Sequence, residues 1–186
     1  MDLVRRKIPK GVDMAGNLLI IVDMLNDFIH EKGALFCGPT AQQIVPNIAL
    51  RLADFRKQGD TVIYLQDAHD PDDREFEMFP KHCISGSWGS EIIAALKPLP
   101  DELILTKKRY SGFFGTDLDQ ELTRLAPEKV VVVGVCTSIC VMDTVGGLAN
   151  RDYRAIVPRG EVADFDPEFH QFALKRMKQL YGATIE

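Results

Sequence analysis

Val130-Val-Val-Val-Gly-Val-Cys-Thr-Ser-Ile-Cys140 decides how this chain is read. Four consecutive β-branched residues, Val130 to Val133, read as a strand buried on both faces, the pattern of a parallel sheet covered by helices. Gly134 breaks the run, and a helix is expected from about Ser138. That layout puts Cys140 near the first turn of a helix, just past the carboxyl end of a central strand. Backbone N–H groups and the positive end of the helix dipole favour a thiolate there. The competing reading is that Cys140 is one more small buried apolar side chain.

The flanking sequence supplies similar units. Asn17-Leu-Leu-Ile-Ile-Val-Asp23 is a buried strand ending in a carboxylate, followed by a polar loop through Gly38-Pro-Thr40. Ile44, Ile48, Leu52 and Phe55 recur at helical spacing until Gly59. Thr61-Val-Ile-Tyr-Leu65 is a second strand, running into Gln66-Asp-Ala-His69. A long aperiodic segment, Asp70 to Ser90, reads as a functional loop. A short helix is expected over roughly Ser90 to Leu96, then a strand at Leu103 to Thr106. The next helix spans about Asp117 to Leu125 with Asp117 as N-cap. Tyr153 to Val157 is a fifth strand, and Asp166-Pro167 opens a last helix through Leu180. Gly182 ends it, and Ala183 to Ile185 is a candidate edge strand. This alternation predicts an α/β fold: a three-layer α/β/α sandwich with a mostly parallel central sheet.

With 186 residues, 46% of them hydrophobic and 26% charged, the chain suits one domain with a sizeable core, assigned to residues 17–186 after an N-terminal arm at 1–16. The net charge of −5 argues against a nucleic-acid partner. No apolar run approaches the roughly 18–20 residues of a membrane span. The basic N-terminus lacks an apolar signal core, so a cytoplasmic protein is expected. Cys37, Cys83, Cys136 and Cys140 form no CxxC pair, and reduced thiols are expected.

Ligands of parallel sheets sit outside the carboxyl ends of the strands, where Asp23, Asp67, His69, Lys107 and Cys140 all fall. A thiol, an acid and an amine together make a nucleophile set. Lys107 would stabilise the thiolate of Cys140, and Asp23 would take its proton and return it to a leaving amine. Viewed singly, Asp23 and Lys107 also suit a structural ion pair. The tight peptide around Val135-Cys136 offers backbone N–H donors, joined by that of Cys140, to an oxyanion. In Asp67-Ala-His69 the period of two returns both side chains to one face, and His82 lies where it could close a metal site. One carboxylate and two imidazoles suit zinc, manganese or iron. Glu75 and Glu77 are candidates for a further ligand, and solvated loop side chains are the plainer alternative. Phe28, Tyr110 and Phe113 could enclose a flat ring or simply be core.

Four blocks carry a family resemblance: Ile21-Val-Asp-Met-Leu-Asn-Asp-Phe28; Asp67-Ala-His69 with Phe79-Pro-Lys-His-Cys83; Lys107-Lys-Arg-Tyr-Ser-Gly-Phe-Phe114; and Gly134-Val-Cys-Thr-Ser-Ile-Cys-Val141. Through them the chain, from Asn17 to Ile185, resembles the isochorismatase-like cysteine hydrolases and, within them, looks most like nicotinamidases. The resemblance implies a catalytic triad of Asp23, Lys107 and Cys140, with the oxyanion held by the N–H groups of Cys136 and Cys140. It implies a cis peptide at Val135-Cys136. It further implies a divalent metal ion (Zn, alternatively Mn or Fe) on Asp67, His69 and His82, with Glu75 at the position of an extra ligand. Ala68, where many nicotinamidases carry Trp, joins Phe28, Tyr110 and Phe113 at the expected ring pocket. Gly146-Gly147 replaces a more helix-favouring run. The implied reaction is hydrolysis of nicotinamide to nicotinate and ammonia in NAD salvage, and the implied assembly a homo-oligomer. A cysteine hydrolase of another small amide is the alternative, followed by a catalytically silent scaffold protein.

Overall fold

The computed structural model describes residues 16–186, so the expected arm at 1–16 lies almost wholly outside the described residues. In chain order the elements are β1 (Leu18–Val22), α1 (Asn26–Ile29), α2 (Pro39–Gln43), α3 (Val45–Gln58), β2 (Thr61–Asp67), β3 (Leu103–Lys107), α4 (Leu118–Leu125), β4 (Val130–Val135), α5 (Met142–Ala149), β5 (Ala155–Val157), β6 (Val162–Ala163), α6 (Pro167–Leu180) and β7 (Thr184–Ile185). The strands form one seven-stranded sheet in the order β3-β2-β1-β4-β5-β7, and β6 also pairs with β4. Every pairing is parallel.

Sheet alternation sorts the apolar side chains into two cores. Leu18, Ile20 and Val22 of β1 meet Leu118 and Leu122 of α4, Val145 and Leu148 of α5, and Leu174 and Met177 of α6. Leu19 and Ile21 face the other way, onto Ile48, Leu52 and Phe55 of α3. Helices on both faces give the three layers that the all-apolar strands require, since β1 and β4 have no solvent face. Each Leu or Ile buried there contributes about 2–5 kcal/mol against truncation to Ala. Gly134 sits at φ +118°, and a Cβ there would lie 2.0 Å from the Val22 carbonyl oxygen, so only glycine lets β4 pass β1 at that rung. Among the described residues no helix is long and apolar enough to cross a membrane.

Three local expectations are corrected. The helix expected at 90–96 is instead two 3₁₀ turns, Trp88–Ser90 and Ala94–Leu96. Between them Ile92 bridges Leu25 antiparallel and Ile93 N–H donates to the Met24 carbonyl, which draws the chain out straight. Asp117 occupies the N-cap position of α4 without capping it; Thr116 Oγ1 accepts the Leu118 N–H instead. The helix expected from Ser138 begins only at Met142, because Thr137–Val141 forms a wide π turn. The Cys136 carbonyl accepts from both Ile139 N–H and Val141 N–H, and this shared acceptor opens the turn.

Candidate active site

Three strand ends converge where β1, β2 and β3 stop. The register of β2 and β3 makes Asp67 and Lys107 direct partners, so their side chains leave the same face at the same height. Asp23 follows β1 at φ +51°, a left-handed conformation that short polar side chains tolerate. Its N–H donates to the Leu65 carbonyl, and its Oδ1 accepts the Asp67 N–H at 2.9 Å. Cys140 arrives from the π turn after β4, past a cis peptide between Val135 and Cys136.

Lys107 is the hub. Its Nζ lies 2.8 Å from Asp23 Oδ2, 2.6 Å from Asp67 Oδ1 and 3.5 Å from Cys140 Sγ. All four side chains are buried. Burial opposes the Lys107 charge, but Asp23, Cys140 and Asp67 together hold the ammonium well above the usual lysine range. Burial raises the Asp23 carboxyl to about 6, against the pull of Lys107. It also pushes the Cys140 thiol well up despite Lys107. Burial thus opposes the thiolate that the helix terminus was expected to favour.

Beside this set stands a second cluster. His69 pairs in parallel with Ile84, its N–H donating to the Cys83 carbonyl, and this bridge folds His82 back beside Asp67. Asp27, unremarked in the sequence, secures the return: its Oδ2 accepts the Cys83 N–H and its Oδ1 the Ala34 N–H. One ligand atom from each of Asp67, His69, Glu75 and His82 lies within 4.8 Å of every other. His82 Nδ1–H donates to the Pro80 carbonyl and His69 Nδ1–H to Asp73, so each ring turns its Nε2 to the cluster; burial works against a charge on His69, but Asp67, Asp73 and Glu75 raise its pKa above the ordinary value. Burial lowers the His82 pKa and so favours its neutral form; Asp67, raised by burial but lowered more by Lys107 and His69, stays ionised. His69 Nε2 and Glu75 Oε2 are buried with no hydrogen-bond partner. Orphaned acceptors amid two carboxylates and two imidazoles fit a divalent cation. Glu77 is exposed and pairs with Arg74 at 3.6 Å.

The two clusters share the wall of one narrow cavity. Asp23, Cys136 and Cys140 line one side, and Asp67, Glu75 and His82 another. Aromatic and aliphatic walls come from Phe28 and Tyr110, as expected, and from Leu35, Phe79, Ile139 and Phe165. The last four carried no signal as pocket residues: Phe165 precedes α6, far away in the chain.

Phe113 and Ala68 are not among the lining residues. Phe113 packs against the α4–α5 core, with Arg151 4.0 Å above its ring. Gly147 makes room for it, since a Cβ there would lie 2.4 Å from the Phe113 ring, and Gly146 similarly abuts Tyr181. Those contacts account for the glycine pair. Ala68 continues the strand rung, its N–H donating to the Lys107 carbonyl.

A doubly covered parallel sheet with an acid, a lysine and a cysteine at its strand ends defines a class of hydrolases, and comparison identifies it. Residues 17–186 match the isochorismatase domain, and the chain belongs to the isochorismatase family of hydrolases. It is similar to the crystal structure of nicotinamidase/pyrazinamidase PncA from Bacillus subtilis, at 36% identity and a TM-score of 0.86, covering 92% of this chain and 99% of that one. N-carbamoylsarcosine amidase from Thermoplasma acidophilum is 36% identical with a TM-score of 0.83, covering 93% and 96%. Pyrazinamidase of Pyrococcus horikoshii in complex with zinc is 29% identical with a TM-score of 0.84, covering 91% and 98%.

Proposed function

We propose that the protein hydrolyses nicotinamide to nicotinate and ammonia, a step of NAD salvage, through a thioester on Cys140. The observation that carries this reading is the composition of the cavity wall. Aromatic side chains at Phe28, Phe79, Tyr110 and Phe165 suit a flat ring, and the polar wall is carboxylate-rich. Among the described residues no arginine or lysine lines it. A flat, neutral aromatic amide suits such a wall.

Cys140 Sγ attacks the amide carbonyl carbon while its proton passes to Asp23. The oxyanion accepts hydrogen bonds from the backbone N–H groups of Cys136 and Cys140. Asp23 then protonates the amide nitrogen, the C–N bond breaks, and ammonia leaves a thioester on Cys140. Water gives a proton to Asp23 and attacks the thioester, and the departing sulfur recovers that proton. Lys107 keeps the transient charges of Asp23 and Cys140 paired throughout.

Asp67, His69, Glu75 and His82 would hold a divalent ion, with zinc preferred and manganese or iron the alternatives. When bound, it supplies a Lewis-acid anchor for a ring nitrogen, fixing the ring before attack. The deciding experiment is ammonia release from nicotinamide by purified, zinc-supplied protein. Turnover that chelation abolishes supports both parts of the reading. Turnover on another amide of a small panel, with nicotinamide untouched, would overturn the substrate and keep the cysteine chemistry.

A further inference from the structure

Behind the cation cluster lies a carboxylate that touches none of the reacting groups. Asp73 lies in the loop after β2, at the head of a 3₁₀ turn (Arg74–Glu77), its side chain 5% exposed. Its Oδ2 accepts from His69 Nδ1 at 3.1 Å, and its Oδ1 accepts the Glu75 N–H at 2.9 Å. Arg109 completes the set, with one guanidinium nitrogen 3.0 Å from each carboxylate oxygen. One buried side chain thus accepts from two of the four ligand residues and from a cation two residues beyond Lys107.

We propose that Asp73 is the positioning residue of the cation site, fixing the tautomer and ring angle of His69 and the placement of Glu75, with Arg109 as its clamp. This inference rests on the reading of Asp67, His69, Glu75 and His82 as a cation site. An imidazole has two nitrogens, and only when Nδ1 keeps the proton does Nε2 offer a lone pair to a metal. Asp73 enforces that state because an ionised carboxylate accepts and never donates. All its partners here are donors. An asparagine could satisfy one side only, since its NH₂ group would confront His69 Nδ1–H or the Glu75 N–H. Arg109 presents the same geometry from the opposite side. It leaves the strand end that carries Lys107, so the triad and the cation cluster are anchored to one backbone segment.

The test is zinc affinity, measured by competition with a chromophoric chelator on full-length protein whose fold is verified by circular dichroism. Asp73→Ala is expected to weaken zinc binding by about 10- to 100-fold, with Asp73→Asn between it and the wild type. Cobalt(II)-loaded Asp73→Asn should show a changed visible absorption spectrum, which a merely structural role would leave unaltered. Arg109→Gln leaves the carboxylate in place on a partly exposed arginine, so it decides the matter if Asp73→Ala does not fold. It should weaken zinc binding less than Asp73→Asn does, and Arg109→Lys should recover part of the loss. Wild-type affinity in both Asp73→Asn and Arg109→Gln overturns the proposal. A wild-type protein that takes up no stoichiometric zinc overturns the cation site itself, and the inference with it. Stoichiometric wild-type binding left unchanged in the variants sinks the positioning role alone.

Discussion

The two halves of the cavity differ in how complete they are. On the triad side, one ammonium lies within 2.8 Å of two carboxylates and 3.5 Å of a thiol, on residues at strand ends or in the turn after β4. Opposite it, His69 Nε2 and Glu75 Oε2 are buried without a hydrogen-bond partner, and Glu75 comes from a 3₁₀ turn and His82 from loop. At the strand ends one ammonium offsets two carboxylates in part, whereas the orphaned atoms of the second cluster are offset only when a cation arrives. Asp67 belongs to both sets, whereas Cys140 and His82 each belong to one, so the nucleophile and a cation ligand can be removed one at a time.

The widest separation is expected from Cys140→Ala. Ammonia release from nicotinamide should fall at least about 10⁴-fold, as for removal of a nucleophile that acts in a concerted unit. Zinc affinity of the same variant should stay at wild type, and a joint loss would break the division of labour. Lys107→Met comes next. It strands Asp23 and Asp67 in the interior and should cost about 3–5 kcal/mol in urea unfolding. A near-silent substitution would mean that the two carboxylates are not held by that ammonium.

Zinc itself should raise the stability of chelator-stripped protein by about 2.7 kcal/mol at a hundredfold excess over Kd. A thermal scan with and without zinc checks this, and the increment should vanish in His82→Ala while surviving in Cys140→Ala. The smallest effect belongs under the nucleophile turn, where Thr137 Oγ1 meets His170 Nδ1 at 2.9 Å. Burial holds His170 below its ordinary pKa, with Asp164 pulling up and Arg159 down. A depressed histidine contributes stability that is present above the unfolded value of about 6.5 and lost as pH falls through the folded value. His170→Gln should therefore flatten the acid limb of a stability-against-pH curve, and an unchanged limb would contradict this.

Much of the frame was legible because its signals are local. Val130 to Val133 and Leu18 to Val22 are apolar without interruption and can only be doubly covered strands. Asp166-Pro167 announced α6, and Asp166 Oδ1 does accept the Glu168 and Phe169 N–H groups. Elements of two to five residues, such as β6, α1 and α2, carry too few side chains for a period to show. The π turn was hidden for a different reason, since its cause is a carbonyl at Cys136 shared by two donors and not a residue type. In the site, the alternation of Asp67 and His69 could be read from spacing. Asp73 could not, because its role depends on a turn that aims it backwards at His69. Phe165 and Leu35 reach the cavity only through tertiary folding. Phe113 was placed at the ring pocket on proximity to Lys107, but the space beside Gly147 took it elsewhere.

The rung on which Asp67 faces Lys107 has one more consequence. Their separation is set by the spacing between neighbouring strands, about 4.7–4.9 Å, and not by any loop. Strand spacing hardly varies, so that part of the machinery can be inherited unchanged while the loops that carry Leu35, Phe79 and Phe165 diverge. An engineer seeking a new amide would randomise those three positions and leave the rung alone. The fold thus sets one part of the cavity by strand geometry and another by loops.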